Sequence, residues 1–188
     1  STNTIPELRD PCGENYTFRD LIECGETQQN SGITNLPKQP GSYTALTELA
    51  RTILDPIIDY FGPIKLTFGF CSSELAKVIP GRIAPKLDQH AAHELNRKGK
   101  YICPRLGAAA DFLVEDEDML EVVKWIEENL EFDRIYYYGK TFPIHISTGP
   151  EMLKQVTLML PDKKGERLVP KTLKMGDLSQ IDGLIKKI

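Results

Sequence analysis

The side chains of this chain that could do chemistry are three histidines, four cysteines and one carboxylate set inside an apolar run. His90 and His93 lie in the polar stretch DQHAAHE, three residues apart, so a helical turn would put them on one face. His145 lies in FPIHIS, an apolar and β-branched run. Asp111 lies in AADFLV, where burying a carboxylate is costly unless a cation or a hydrogen-bond donor meets it. Imidazole nitrogen, carboxylate oxygen and thiolate sulfur are donors that zinc accepts, and a catalytic zinc needs three of them with a fourth position open to water. Each residue also has a plain structural reading: His90 and His93 as surface residues, His145 as a hydrogen-bonded strand histidine, Cys103 as a small buried hydrophobe. Cys12, Cys24, Cys71 and Cys103 are widely spaced and form no Cys-x-x-Cys pair, the pattern of reduced thiols in a cytosolic protein.

Several elements must position these groups. SYTALTELARTILDPIIDYFG carries the strongest helical period, with Leu46, Leu49, Ala50, Ile53, Leu54, Ile57, Ile58 and Phe61 on one stripe. Ser42 offers its N-cap and Gly62 its stop, while Pro56 predicts a kink because its nitrogen has no proton to donate. A shorter helix led by Thr17 precedes it, with Phe18, Leu21 and Ile22 on one face, and positions 27–41 read as a loop. IKLTFGF reads as a strand, SSELAKVI as a short helix capped by Ser72 or Ser73, and the stretch from Asp88 to Tyr101 as a helical turn before a glycine-containing loop. AADFLV reads as a strand, and positions 117–130 as a helix whose buried stripe is Met119, Leu120, Val123, Ile126 and Leu130. FDRIYYYG and FPIHIST then form a hairpin, in which the tyrosine run packs alternately, and a second hairpin turns at Lys164 and Gly165. Strands gathered toward the C-terminus predict an α+β fold with a largely antiparallel sheet.

With 188 residues, 40% hydrophobic and 27% charged, the chain has enough material for one sizeable core. The expected organisation is an N-terminal arm over 1–16, a main domain over 17–148 and a C-terminal hairpin extension over 149–188. A formal charge of -4 gives no global attraction to phosphate backbones or anionic membranes, so nucleic acid and membrane are not the expected partners. The first residues show neither a basic segment nor an apolar one of the signal-peptide kind, so the expected location is cytoplasmic.

Gly107, Ala109 and Asp111 in GAAADFLV, together with His145 in FPIHIS, resemble the ligand strands of the zinc D-alanyl-D-alanine carboxypeptidases and endolysin-type peptidases. That group is related in fold to the hedgehog signalling domain, and the likeness is to its branch in phage and bacterial genomes. The resemblance runs from about Phe18 to Ser147 and includes an Ile-x-Asn-x-Pro loop, here Ile33, Asn35 and Pro37. It implies a hedgehog/DD-peptidase-like α+β fold with Asp111 and His145 as zinc ligands. The family's first histidine falls at Pro104. Upstream, Asp88-Gln89-His90 resembles the family's Ser-Gln-His, so His90 or His93, displaced by inserted residues, or else the thiolate of Cys103, would complete the site. The expected set is His90, Asp111 and His145 around Zn2+.

Two departures bear on activity. Gly69, Ser72 and Leu75 match the family's Ser-Gly-Tyr-Arg-Ser-x-x-Leu-Asn turn, but Cys71 stands where the substrate-associated arginine would be. No acid lies between Tyr136 and His145, where relatives place a glutamate base, and Glu94 and Asp133 are the nearest alternatives. The expected function is a divergent zinc-dependent hydrolase of a peptide-like or amide bond. The alternative is a peptidase fold whose catalysis has decayed, acting on a protein partner as a binding or assembly protein.

Overall fold

The computed structural model describes residues 4–80 and 84–173. Near its start a two-stranded ladder, β1 (Pro11–Cys12) against β2 (Tyr16–Thr17), seats Cys12 wholly inside the core. This N-terminal segment is packed down onto the helices: the Asp55 carboxylate accepts from the Glu14 N–H and from Asn15 Nδ2, both at 2.8 Å. α1 (Phe18–Ile22) follows with a capping box, in which Thr17 Oγ1 accepts from the Asp20 N–H and the Asp20 carboxylate accepts from the Thr17 N–H. Phe18, Leu21 and Ile22 are its buried face, as their spacing predicts.

The stretch read as a loop contains one helix, α2 (Glu26–Ser31), closed by Gly32 in the left-handed conformation. None of its residues is buried, so no apolar period announces it. α3 (Pro40–Leu49), a π-helical segment (Ala50–Leu54) and α4 (Asp55–Phe61) then run on as the long helix. The disturbance predicted at Pro56 takes the form of that widened turn, in which the Asp55 N–H reaches the Ala50 carbonyl. Gly62 ends the helix as its position suggests. Ser42 does not cap it. The helix begins at Pro40, and its start is capped from far along the chain by Glu94, which accepts from the N–H groups of Lys38 (2.8 Å) and Gln39 (3.1 Å) and from the Ser42 hydroxyl (2.7 Å).

Next come β3 (Lys65–Phe68), α5 (Ser73–Ala76) capped by Ser72, and two 3-10 turns at Pro85–Leu87 and Gln89–Ala91. They are followed by β4 (Ala108–Leu113), α6 (Met119–Asn129) capped by Asp118, β5 (Arg134–Tyr137) and β6 (Ile144–Thr148). β7 (Gln155–Pro161) and β8 (Leu168–Leu173) form the second expected hairpin, and positions 174–188 of the extension expected over 149–188 lie outside the described residues. The six-stranded sheet has the order β3-β4-β6-β5-β7-β8, and every neighbouring pair is antiparallel except β5 with β7. The fold is therefore α+β with a mostly antiparallel sheet. No helix among the described residues is long and apolar enough to cross a membrane.

The two-residue period of the strands separates two faces. Ala108, Ala110 and Phe112 of β4, Ile135 and Tyr137 of β5, Ile144 and Ile146 of β6, and Val156 and Leu158 of β7 enter the core beneath the helices. The alanines are small enough for α3 to lie close against β4. On the opposite face the register aligns Phe68, Asp111, His145, Tyr136, Thr157 and Thr172 in one row, a residue from every strand.

The Glu94 cap ties the inserted segment to the long helix. Glu94→Ala leaves two N–H groups and a hydroxyl short of their acceptor and is expected to lower stability by about 3 kcal/mol. Equilibrium urea unfolding measures this, and a loss below about 1 kcal/mol would show that the cap is dispensable.

Candidate metal centre

The β4–β6 register sets Asp111 directly opposite His145. His90 arrives from the insert between β3 and β4, and three contacts fix it. Its N–H donates to Asp88 Oδ1 (3.0 Å), its carbonyl accepts from the Cys71 N–H (2.9 Å), and its ring Nδ1 lies 2.7 Å from the Gly69 carbonyl. Gly69 has no alternative residue in this backbone, because a Cβ there would run into the carbonyl of Leu21. The loop 69–72 is held in turn by Asn35, which is buried, donates to the carbonyls of Ile22 and Phe70 at 2.8 Å each and accepts from the Ser72 N–H at 2.7 Å. Gly107 opens β4 with φ +82°, and a Cβ there would meet the Thr148 carbonyl, so only glycine lets β4 begin beside β6.

Three donor atoms meet as a result. His90 Nε2 is 3.1 Å from Asp111 Oδ1, His145 Nδ1 is 3.0 Å from the same oxygen, and the two ring nitrogens are 3.1 Å apart. A carbonyl can only accept, so His90 Nδ1 carries a proton and, in the neutral ring, Nε2 presents a lone pair to the other two atoms. Three lone pairs so placed repel one another unless protons or a cation stand among them. Donors on a tetrahedral ion with bonds of about 2.0–2.1 Å stand about 3.3–3.4 Å apart, so the triangle needs to open by only about 0.3 Å. The cluster could hold a metal ion: two imidazoles and a carboxylate are the right donors, and the carbonyl behind His90 fixes the tautomer that ligation requires. Both histidine side chains are about 5% exposed or less, whereas Asp111 is 30% exposed, so solvent reaches the triad past the carboxylate.

The electrostatics follow from this placement. Burial acts to lower the His90 pKa, but the Asp111 charge and the hydrogen bonds to Asp111 and Gly69 outweigh it, and the net shift is upward. Burial acts to raise the Asp111 carboxyl, and the two imidazoles overcome it and hold the group well below the usual carboxylate range. The Phe68 ring packs edge-on to His90 at 4.5 Å, and Tyr136 packs edge-on to His145 at 5.3 Å. Tyr138, the next residue of that run on the same side, has its phenol pushed upward by burial and then by the Asp111 charge. Of the tyrosine run only Tyr137 is in the core, as alternating packing requires.

The alternatives for the third donor stand elsewhere. His93 is outside the cluster, where its Nε2 accepts from the Gly107 N–H at 3.1 Å and so supports the start of β4. Cys103 is buried with Sγ 3.4 Å from the Lys86 carbonyl. Neither acid nearest in sequence to the missing base is available. Glu94 caps α3, and Asp133 is fully buried, accepting from Arg105 Nη2, Gln89 Nε2 and the Leu153 N–H. Gln89 Nε2 also donates to the Leu106 carbonyl at 2.9 Å and lies 3.4 Å from the Thr148 carbonyl of β6, so the residue beside His90 anchors the insert to the sheet. The Gly69 carbonyl escaped the sequence reading, because nothing in GFC marks a backbone acceptor.

No protein-family model, curated protein or solved structure matches the chain.

Without metal, the triad should leave a pH signature in stability. The raised His90 contributes stability that is complete below the unfolded value of about 6.5 and is lost as pH rises through its higher folded value. The lowered Asp111 contributes stability present above the unfolded value of about 3.9 and lost as pH falls through its folded value. In EDTA, the stability difference between wild type and Asp111→Asn is expected to be largest between about pH 4 and 6.5 and to shrink toward pH 9, at about 1.4 kcal/mol per pKa unit. A difference independent of pH, measured by urea unfolding, would contradict the assignment.

Proposed function

We propose that this chain is a zinc-dependent hydrolase of a peptide-like or amide bond, a divergent relative of the D-alanyl-D-alanine carboxypeptidase and hedgehog group. The observation that carries this reading is the meeting of His90 Nε2, Asp111 Oδ1 and His145 Nδ1 within 3.1 Å of one another. A His-Asp-His set of borderline nitrogen and oxygen donors suits zinc, and three protein donors leave a fourth position open. When bound, the ion supplies Lewis acidity that polarises a carbonyl and acidifies water.

The chain's own residues do the rest. The Gly69 carbonyl holds His90 in the tautomer whose Nε2 faces the site, and the Asp111 charge offsets the ion's. Phe68 shields His90 on one side, and solvent has access through Asp111. Adjacent antiparallel strands carrying Asp111 and His145, with helices on the far face, support the proposed family of folds.

A second reading has its own support. Glu94 and Asp133 are both committed to structural hydrogen bonds, so neither can take a proton from water at the triad. A metal-stabilised binding or assembly protein would need no such base.

Elemental analysis of the purified protein is expected to find about one zinc per chain, and Asp111→Ala is expected to reduce it to about a tenth or less. Wild type without stoichiometric metal, or a substituted protein with its metal unchanged, would defeat the hydrolase reading. Full zinc occupancy with no cleavage of carboxylate-terminated dipeptides or their amides would favour the second.

A further inference from the structure

A guanidinium with no counter-ion stands on the same face of the sheet as the triad. Arg134 opens β5 two residues before Tyr136, so both side chains share a face. The register that pairs Tyr136 with His145 places Arg134 across from Ser147, whose Oγ accepts from the Arg134 N–H at 3.1 Å. Arg134 Nη1 donates to the Tyr136 hydroxyl at 3.4 Å, which turns the guanidinium along the strand toward the row that holds His145. Its Nε is buried and donates to nothing, and among the described residues Arg134 takes part in no ion pair.

Arg105 shows how this chain treats a structural guanidinium. Its Nε is likewise buried without a partner, but its charge is met: Nη2 lies 3.0 and 2.9 Å from the two oxygens of Asp133, and Nη1 is 3.7 Å from Glu151. Arg134 is half-buried and has no such partner. An arginine keeps its charge at any physiological pH, and a partly desolvated charge without a partner is costly. The planar fork of donors fits a carboxylate in bidentate fashion.

We infer that Arg134, with the Tyr136 hydroxyl beside it, is an anion subsite that binds a carboxylate of the substrate next to the bond presented to His90, Asp111 and His145. This rests on the hydrolytic reading of the triad and narrows its substrate class. Two residues along a strand span about 6.6–6.8 Å, and an extended peptide covers about 3.3–3.6 Å per residue. The substrate is therefore peptide-like, with a free carboxylate one or two residue lengths from the scissile carbonyl. Arg134 is a specificity-determining residue and Tyr136 positions its guanidinium.

Two hydroxamate probes, one of which carries a distal carboxylate on one further methylene, test this on the zinc-loaded protein. Succinic monohydroxamate is expected to bind at least about 10-fold tighter than acetohydroxamate by calorimetry. Arg134→Gln should abolish that preference while leaving acetohydroxamate affinity and zinc stoichiometry unchanged and the melting temperature no lower, and Arg134→Lys should restore part of it. Equal affinity of wild type for the two probes overturns the inference, and this comparison needs no variant to fold. A second readout needs no metal: in EDTA-treated, 15N-labelled protein the Arg134 Nε–H resonance should shift saturably with succinate. A saturable shift in a protein that binds no zinc defeats the hydrolase reading and keeps the anion subsite. Zinc binding without probe preference or resonance shift defeats the subsite alone.

Discussion

Two ring nitrogens and a carboxylate oxygen lie within 3.1 Å of one another on a face that water can reach, a crowding that only protons or a cation among them can relieve. Much of the surrounding architecture can be understood as the means of keeping them there. Two come from neighbouring strands, where backbone ladders fix Asp111 against His145. The third, His90, belongs to no strand of the sheet and depends on side-chain and loop contacts: Asp88 and Cys71 on the His90 backbone, Gly69 on its ring, Asn35 behind Gly69, Gln89 to Asp133 beside β5. Those contacts are mostly buried and satisfied, so the stretch around His90 is packed as part of the domain.

How much of this the sequence disclosed depends on the range of the interaction. The strands around Asp111 and His145 were legible because period-two alternation is local, and so were the α6 stripe, the cap at Thr17 and the choice between Ser72 and Ser73, of which Ser72 is the cap. The disturbance before Pro56 was legible in kind, and its form as a π-helical turn was not. α2 carried no signal because it buries nothing. Ser42 looked like a cap because the true one, Glu94, lies 52 residues further on, and only folding brings it to the helix start. His90 was separable from His93 by its resemblance to a Gln-His pair, while the role of His93 as acceptor for Gly107 is purely tertiary.

Arg134 illustrates the same limit from the other side. In FDRIYYYG it is one more basic residue, and its distinction is a missing counter-ion, which no local pattern encodes. The face it shares with the triad divides its chemistry along the strands: a cluster that could hold a cation at β4 and β6, phenols and a guanidinium at β5, and a threonine pair, Thr157 with Thr172, where β7 meets β8. The division suits a ligand that presents a polarisable carbonyl at one point and a negative charge at another.

The most direct measurement is anomalous X-ray diffraction at the zinc edge from crystals of the protein as purified. A single peak about 2.0–2.1 Å from each of His90 Nε2, Asp111 Oδ1 and His145 Nδ1 is the expected result. A fully ordered triad with no peak, or a peak at His93 or Cys103 instead, would contradict the assignment of these three atoms to a metal.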